Sequence, residues 1–197
     1  ASDVYKRQPY GRTWAATSPQ RAASCAPTLN GRGFVPMLTL RQYDRAALNG
    51  LSELFADARV VRYVGDGKPM DAPSATALME KILRLSESDP SFWVWAVYEG
   101  EQYAGHAELK RRSGRSEYEL IYILQQKRWG RSLGGSVVDL LISEARTRSI
   151  PFVIATVAPE NVASIAILKR RGFVNDDGLS RQLDCPAYRL SLESPRG

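Results

Sequence analysis

Apolar and polar residues alternate over residues 37–42, MLTLRQ, as they do along a short half-buried strand. The period then lengthens. Over residues 43–57 Leu48, Leu51, Leu54 and Phe55 fall on one helical face, behind Asp44 as a candidate N-cap. A breaker-rich connection, RYVGDGKPM, leads to a second helical pattern over residues 71–88, with Asp71 at its cap, Pro73 in its first turn and Leu78, Ile82 and Leu85 facing inward. Three strand-like runs follow, SFWVWAVYEG, QYAGHAELKRR and SEYELIYIL, and the tight joints EGEQ and RSGR predict an antiparallel meander. The last third reads as a helix over residues 132–147, a strand PFVIATV, a helix from Asn161 to Arg171 closed by Gly172, and a strand PAYRLSL. That order predicts neighbouring parallel strands joined by crossover helices. Neither an internal repeat nor a second domain shows.

Composition narrows this picture. A chain of 197 residues with 44% hydrophobic and 24% charged residues is ordinary for one globular domain with a real core. No apolar run approaches the roughly 20 residues of a membrane helix, and residues 1–36 hold no continuous apolar stretch of a secretory signal. A cytoplasmic protein without membrane contact is expected. Two cysteines, Cys25 and Cys185, and one histidine, His106, provide neither a zinc set nor a disulfide framework, so no metal is expected. The net charge of +6 invites a nucleic-acid reading, but residues 1–36 carry +4 of it, in Lys6, Arg7, Arg12, Arg21 and Arg32 against Asp3. With only +2 left for residues 37–197, a nucleic-acid partner is not expected.

Residues 1–36 stand apart in another way. The octapeptide ASDVYKRQ is the in-frame translation of a transposon-end adapter used to tag sequencing libraries, and the residues after it show many breakers and no periodicity. An adapter-derived or disordered extension is expected there, with Met37 as a start and residues 37–193 as the domain.

The chemistry gathers at QKRWGRSLGG, residues 126–135, which lies between a strand pattern and a helix pattern and holds three glycines, a serine and three basic residues. Bare amides at a helix N-terminus attract anions, and glycine lets a phosphate approach the backbone. The stretch is neither a Walker A loop nor a Rossmann fingerprint. Downstream, NVASIAILKRRGF places Asn161 and Ser164 one turn apart at a second helix start. Asn161 there serves equally as a plain helix cap.

Taken together, GHAELKRR, EYELIYILQQKRWGRSLG and NVASIAILKRRGF resemble the GCN5-related N-acetyltransferase superfamily, over residues 37–193, and most closely its branch of ribosomal-protein N-terminal acetyltransferases. The resemblance implies an α/β fold: a mixed, mostly antiparallel central sheet with a splay between its two central strands and helices on both faces. It implies acetyl-CoA as co-substrate and an amine acceptor, either a protein N-terminus or a small molecule, with a monomer or homodimer as the assembly. It places the pyrophosphate on Trp129, Gly130, Arg131, Ser132, Leu133, Gly134 and Gly135, and the pantetheine arm against Leu124, Asn161 and Ser164. Two departures stand out: Ser132 replaces a pattern glycine, and Leu168 stands where many members carry a tyrosine acid.

The family reaction is direct attack of an amine on the thioester, so a base must take a proton from the amine. Glu119, inside the apolar run ELIYIL, matches the family's common acidic position; Glu108 on the preceding strand is the other candidate. His106, Tyr122 and Tyr188 are candidates to line the acceptor site, and each is equally suited to the core. A non-catalytic acetyl-CoA-binding module is the alternative that Ser132 and Leu168 suggest, and a basic nucleic-acid-binding protein is the remaining one.

Overall fold

The computed structural model describes residues 38–112 and 117–193. The expectation for residues 1–36 lies outside the described residues, as does the tip of the RSGR joint. Seven strands form one sheet: β1 (Leu38–Gln42), β2 (Trp93–Glu99), β3 (Gln102–Arg111), β4 (Tyr118–Leu124), β5 (Phe152–Thr156), β6 (Val174–Asn175) and β7 (Ala187–Ser191), in the order β1-β2-β3-β4-β5-β7-β6. The antiparallel meander is present as β2–β3–β4. Of the neighbouring pairs only β4 and β5 run parallel. The expectation of further parallel neighbours therefore fails in the last third. β7 inserts between β5 and β6 and runs antiparallel to both.

The helices are α1 (Leu48–Ala56), α2 (Ala58–Val61), α3 (Ala72–Ser88), α4 (Leu133–Thr147), α5 (Val162–Arg170) and α6 (Asp177–Leu183). The helix expected over residues 43–57 behind Asp44 is present, beginning as a 3-10 turn and ending at Ala56. Asp44 caps a 3-10 turn, Arg45–Ala47, and Asp57 leaves the helical region to cap α2 by accepting from the Arg59 amide at 2.9 Å. Short carboxylates compete with the helix for nearby amides, which explains the separation of α1 from α2 at Asp57. α3 is as expected, with Asp71 Oδ1 accepting from the Ser74 amide at 2.8 Å. β6 and α6 carry too few periodic positions to be seen in the sequence.

Strand alternation sends the two sets of side chains to opposite faces. Leu109, Leu120, Leu124 and Val153 pack with Val137, Val138 and Leu141 of α4 and with Leu168 of α5. Val94, Ala96 and Ile123 pack on the other face with Leu51, Phe55, Met79 and Ile82 of α1 and α3. Ile154 meets Leu179 of α6 on that same side. α5 ends in a Schellman motif, in which the Phe173 amide reaches Leu168 O at 3.2 Å and the Gly172 amide reaches Lys169 O at 3.1 Å. Gly172 supplies the left-handed φ of 83° that this motif requires. Among the described residues no helix is long and apolar enough to cross a membrane.

Candidate active site

β4 and β5 pair only at Tyr118↔Val153 and Glu119↔Ile154, yet β4 runs on to Leu124 and β5 to Thr156. The two central strands thus part in the middle of the sheet. The opening begins just after Glu119. Backbone direction alternates along a strand. The Gln125 amide donates to Ala104 O on the β3 side at 2.9 Å, so the polar backbone groups of Leu124 and Tyr122 face the other way, into the opening. Trp129 confirms this direction, because its Nε1 donates to Leu124 O at 3.0 Å while its ring stays 48% exposed.

At the rim stands the glycine loop. A 3-10 turn, Gln126–Arg128, precedes Trp129 and Gly130, and α4 then starts from Ser132 in the left-handed region at φ 60°, ψ 6°. Serine is a good cap in an extended conformation, but here it makes no capping hydrogen bond. Among the described residues no side chain caps the first amides of α4, from Leu133 onward, and the helix dipole adds positive potential there. A side chain at Gly130 would meet nothing within 4 Å, so the approach is open. The residues present fit a phosphate-bearing ligand.

The loop's cations are arranged differently from expectation. Arg131 puts its two terminal nitrogens on Glu99, at 2.6 and 3.1 Å, rather than toward the start of α4. Arg128 is ion-paired to the same carboxylate and donates to Gln102 Oε1 at 2.8 Å. Burial lowers the Arg128 guanidinium below its usual value, with Arg131 next in effect. Glu99 thus anchors the loop to the end of β2. Nothing in the sequence around Glu99 signalled this.

Gly134 and Gly135 act mainly through their missing side chains. A Cβ at Gly135 would lie 2.1 Å from Arg171 Nη2, and Arg171 Nε donates to Gly135 O at 2.8 Å while binding Asp139 at 2.8 and 2.9 Å. This clamp holds α4 to α5. At Gly134 a Cβ would meet Ile167 at 2.9 Å and Tyr122 at 3.5 Å. The Tyr122 hydroxyl is sealed beside Ser164 without a hydrogen bond of normal geometry, and burial raises it above the usual phenol value while Ser164 acts in the opposite sense. Asn161 caps α5, its Oδ1 accepting from the Ser164 amide at 3.2 Å. Leu168 is fully buried.

The two candidate bases occupy different settings on the face of α1 and α3. Glu119 sits at the root of the opening, with Arg112 Nη1 at 2.7 Å on one oxygen and the Thr156 hydroxyl donating to the other. Its side chain is 13% exposed, and the purely apolar surroundings expected from ELIYIL are absent. Glu108 is buried with His106, whose Nε2 lies 2.7 Å from its carboxylate. His106 Nδ1 lies 2.8 Å from the Tyr43 hydroxyl, which meets the Tyr103 hydroxyl at 2.9 Å. Tyr188 is buried in the α4-side core, on the face opposite Glu119. The structure thus brings Leu124, Trp129, Ser132, Leu133, Tyr122 and Ser164 around the opening, and leaves His106 and Tyr188 in the packing.

A family model described as the acetyltransferase (GNAT) domain matches residues 37–174. The chain belongs to that family and is an acyl-CoA-dependent acetyltransferase. The fold is shared with Mycobacterium smegmatis RimJ in complex with CoA-disulfide, at 16% identity and TM-score 0.68 over 83% of this chain and 86% of that one. It is shared equally with the putative acetyltransferase yncA of Salmonella typhimurium with its cofactor acetyl-CoA, at 18% identity and TM-score 0.60 over 81% and 96%. Vibrio cholerae spermidine N-acetyltransferase, in complex with CoA and spermine, gives 17% identity and TM-score 0.64 over 77% and 92%. No curated protein matches the chain in sequence.

Proposed function

We propose that this protein transfers the acetyl group of acetyl-CoA to a primary amine by direct attack, with the thioester in the opening between β4 and β5. The observation that carries this is the loss of pairing after Glu119 beside an uncapped α4. Backbone groups of Tyr122 and Leu124 there take the place of a missing strand for the pantetheine arm, and the amides from Trp129 to Gly134 take the pyrophosphate. Asn161 and Ser164 line the far side. The amine nitrogen bonds to the acetyl carbon, the carbon–sulfur bond breaks, and CoA leaves as thiolate. The proton lost by the amine passes through water to Glu119, which stands at the root of the opening. A free thiol has a pKa of about 8.5, so water suffices to protonate the leaving group without a tyrosine at position 168. The acceptor is a protein N-terminus or a small amine. Residues 37–193 form the catalytic domain.

A second reading, binding without turnover, draws support from the engagement of Glu119 by Arg112 and Thr156. Acetyl-CoA turnover against a panel of amines separates the two. With turnover established, Glu119→Gln keeps CoA binding and lowers kcat by roughly 10²–10⁴, the usual worth of general-base help. Near-native turnover in a folded Glu119→Gln protein passes the role to Glu108.

A further inference from the structure

Glu119 is the last residue of β4 with a register partner on β5, where it lies opposite Ile154. Its carboxylate, however, is not held beside Ile154. The Thr156 hydroxyl donates to Glu119 Oε1, and Thr156 is the last residue of β5, two positions further along the parallel strand. Two positions amount to roughly 6.6 Å of strand rise. Carried on in the same register, Thr156 would stand level with Ile121, past the point where the strands part. Ile154 packs with Leu179 on the α1 and α3 side, and Thr156, two positions on, shares that face with Glu119.

The other oxygen is held from the opposite quarter. The Arg112 amide donates to Glu117 O at 3.0 Å, which sets Arg112 across from Glu117 on the β3 side, two positions behind Glu119. From there Arg112 Nη1 reaches Glu119 Oε2 at 2.7 Å. A cation behind on the β3 side and a hydroxyl ahead on β5 fix the carboxylate between them. Neither bond uses it up. An ionised carboxylate offers about four lone-pair sites, and Arg112 and Thr156 take one each. What the two bonds remove is freedom. Glutamate has among the largest rotamer freedom of any side chain, and here it is ordered before a substrate arrives.

We infer that Thr156 is a positioning residue for acetyl transfer: its hydroxyl draws the Glu119 carboxylate forward along β4 into the opening, within reach of the water that takes the proton of the amine. The inference rests on the reading of Glu119 as the base. It adds what aims that base. Without the Thr156 hydroxyl, Arg112 is left as the donor, and the carboxylate settles back toward β3, away from the backbone groups of Tyr122 and Leu124.

The test is steady-state acetylation by the full chain, with acetyl-CoA and the fastest amine of the panel. It compares Thr156→Val, Thr156→Ser, Glu119→Gln and the double variant Glu119→Gln/Thr156→Val. Valine keeps the branched shape of threonine and removes the hydroxyl; serine keeps the hydroxyl. Thr156→Val is expected to lower kcat about 10- to 100-fold, the worth of a hydrogen bond to a charged group, with KM for the amine and CoA affinity unchanged. Thr156→Ser is expected to retain most of the parental kcat. In the Glu119→Gln background the valine change costs little more, because the group it aims is gone. Urea unfolding of each protein separates lost activity from lost fold, and Thr156→Ala takes the place of a valine variant that does not fold. Parental kcat in a folded Thr156→Val protein overturns the inference, as do equal losses in the valine and serine variants or full additivity in the double variant. Glu119→Gln alone reads the base: parental turnover there removes the base reading and this inference with it. Absence of turnover with every amine of the panel does the same.

Discussion

Ser132 enters α4 in the left-handed region, where the Cβ of an L-residue crowds the next carbonyl at a cost of roughly 1–2 kcal/mol. Its hydroxyl recovers none of this through capping. Ser132→Gly is therefore expected to raise stability by up to about 1 kcal/mol, after the larger chain entropy of glycine is subtracted. Urea unfolding measures it, and a destabilised variant would mean that the hydroxyl holds the loop. CoA affinity should stay within about tenfold, since the amide remains in either case. Residue types at this site were legible in the sequence because a glycine-bearing turn before a helix has few uses. Their partners were not. Arg131 reads as a phosphate ligand until Glu99, 32 positions away, is seen to hold both its terminal nitrogens. Likewise Glu119 reads as a lone carboxylate among apolar residues until the chain brings Arg112 and Thr156 to it. Contacts between strands depend on register, which local pattern does not carry.

At the scale of elements, helix ends and helix contacts are decided by single polar groups. Asp176 caps α6 through the Leu179 amide at 2.9 Å and binds Arg189 Nε of β7 at 2.8 Å. The amide first, and then Arg189, hold its carboxyl below the usual range. A depressed carboxyl stabilises the fold above its ordinary value and loses that contribution as pH falls through the folded value. Asp176→Asn is thus expected to cost about 1 kcal/mol at pH 7 and to converge with the parent protein as acid titrates below roughly pH 4. Parallel denaturation series across pH check the convergence. α4 and α5 provide a second case. Gly135→Ala places a methyl in the space of the Arg171 guanidinium and is expected to destabilise by about 1–3 kcal/mol. In an Arg171→Ala background the same change should cost far less, and a double-mutant cycle with no coupling would refute the clamp. The strongly periodic helices α3 and α4 were readable from the sequence. The short pieces α2, α6 and β6 were not, because two turns or fewer hold too few apolar positions to reveal a face.

For the whole molecule, the seven-strand sheet with helices on both faces was accessible through the resemblance of three motifs, since strand order follows from no periodicity. The α1–α3 half and the α4–α5 half meet across one sheet whose centre is only partly bonded. Elsewhere a sheet this well covered would be uniformly rigid. Here the amides of Tyr122 and Leu124 face the opening, whereas that of Gln125 is paired with Ala104 O.

That comb of backbone groups has a consequence for hydrogen–deuterium exchange. Protection normally rises toward the middle of a sheet, where opening requires global unfolding. In this protein successive residues of the central strand should differ: Ile121 and Ile123, directed at β3, exchange slowly, and Tyr122 and Leu124 exchange at rates closer to those of a loop. Adding CoA should slow the second pair alone and leave the first unchanged. Uniform slow exchange along all four, resolved residue by residue by NMR, would mean that the central strands close on each other in solution. An alternating pattern makes β4 a strand with one edge in the interior of the protein and the other reserved for its ligand.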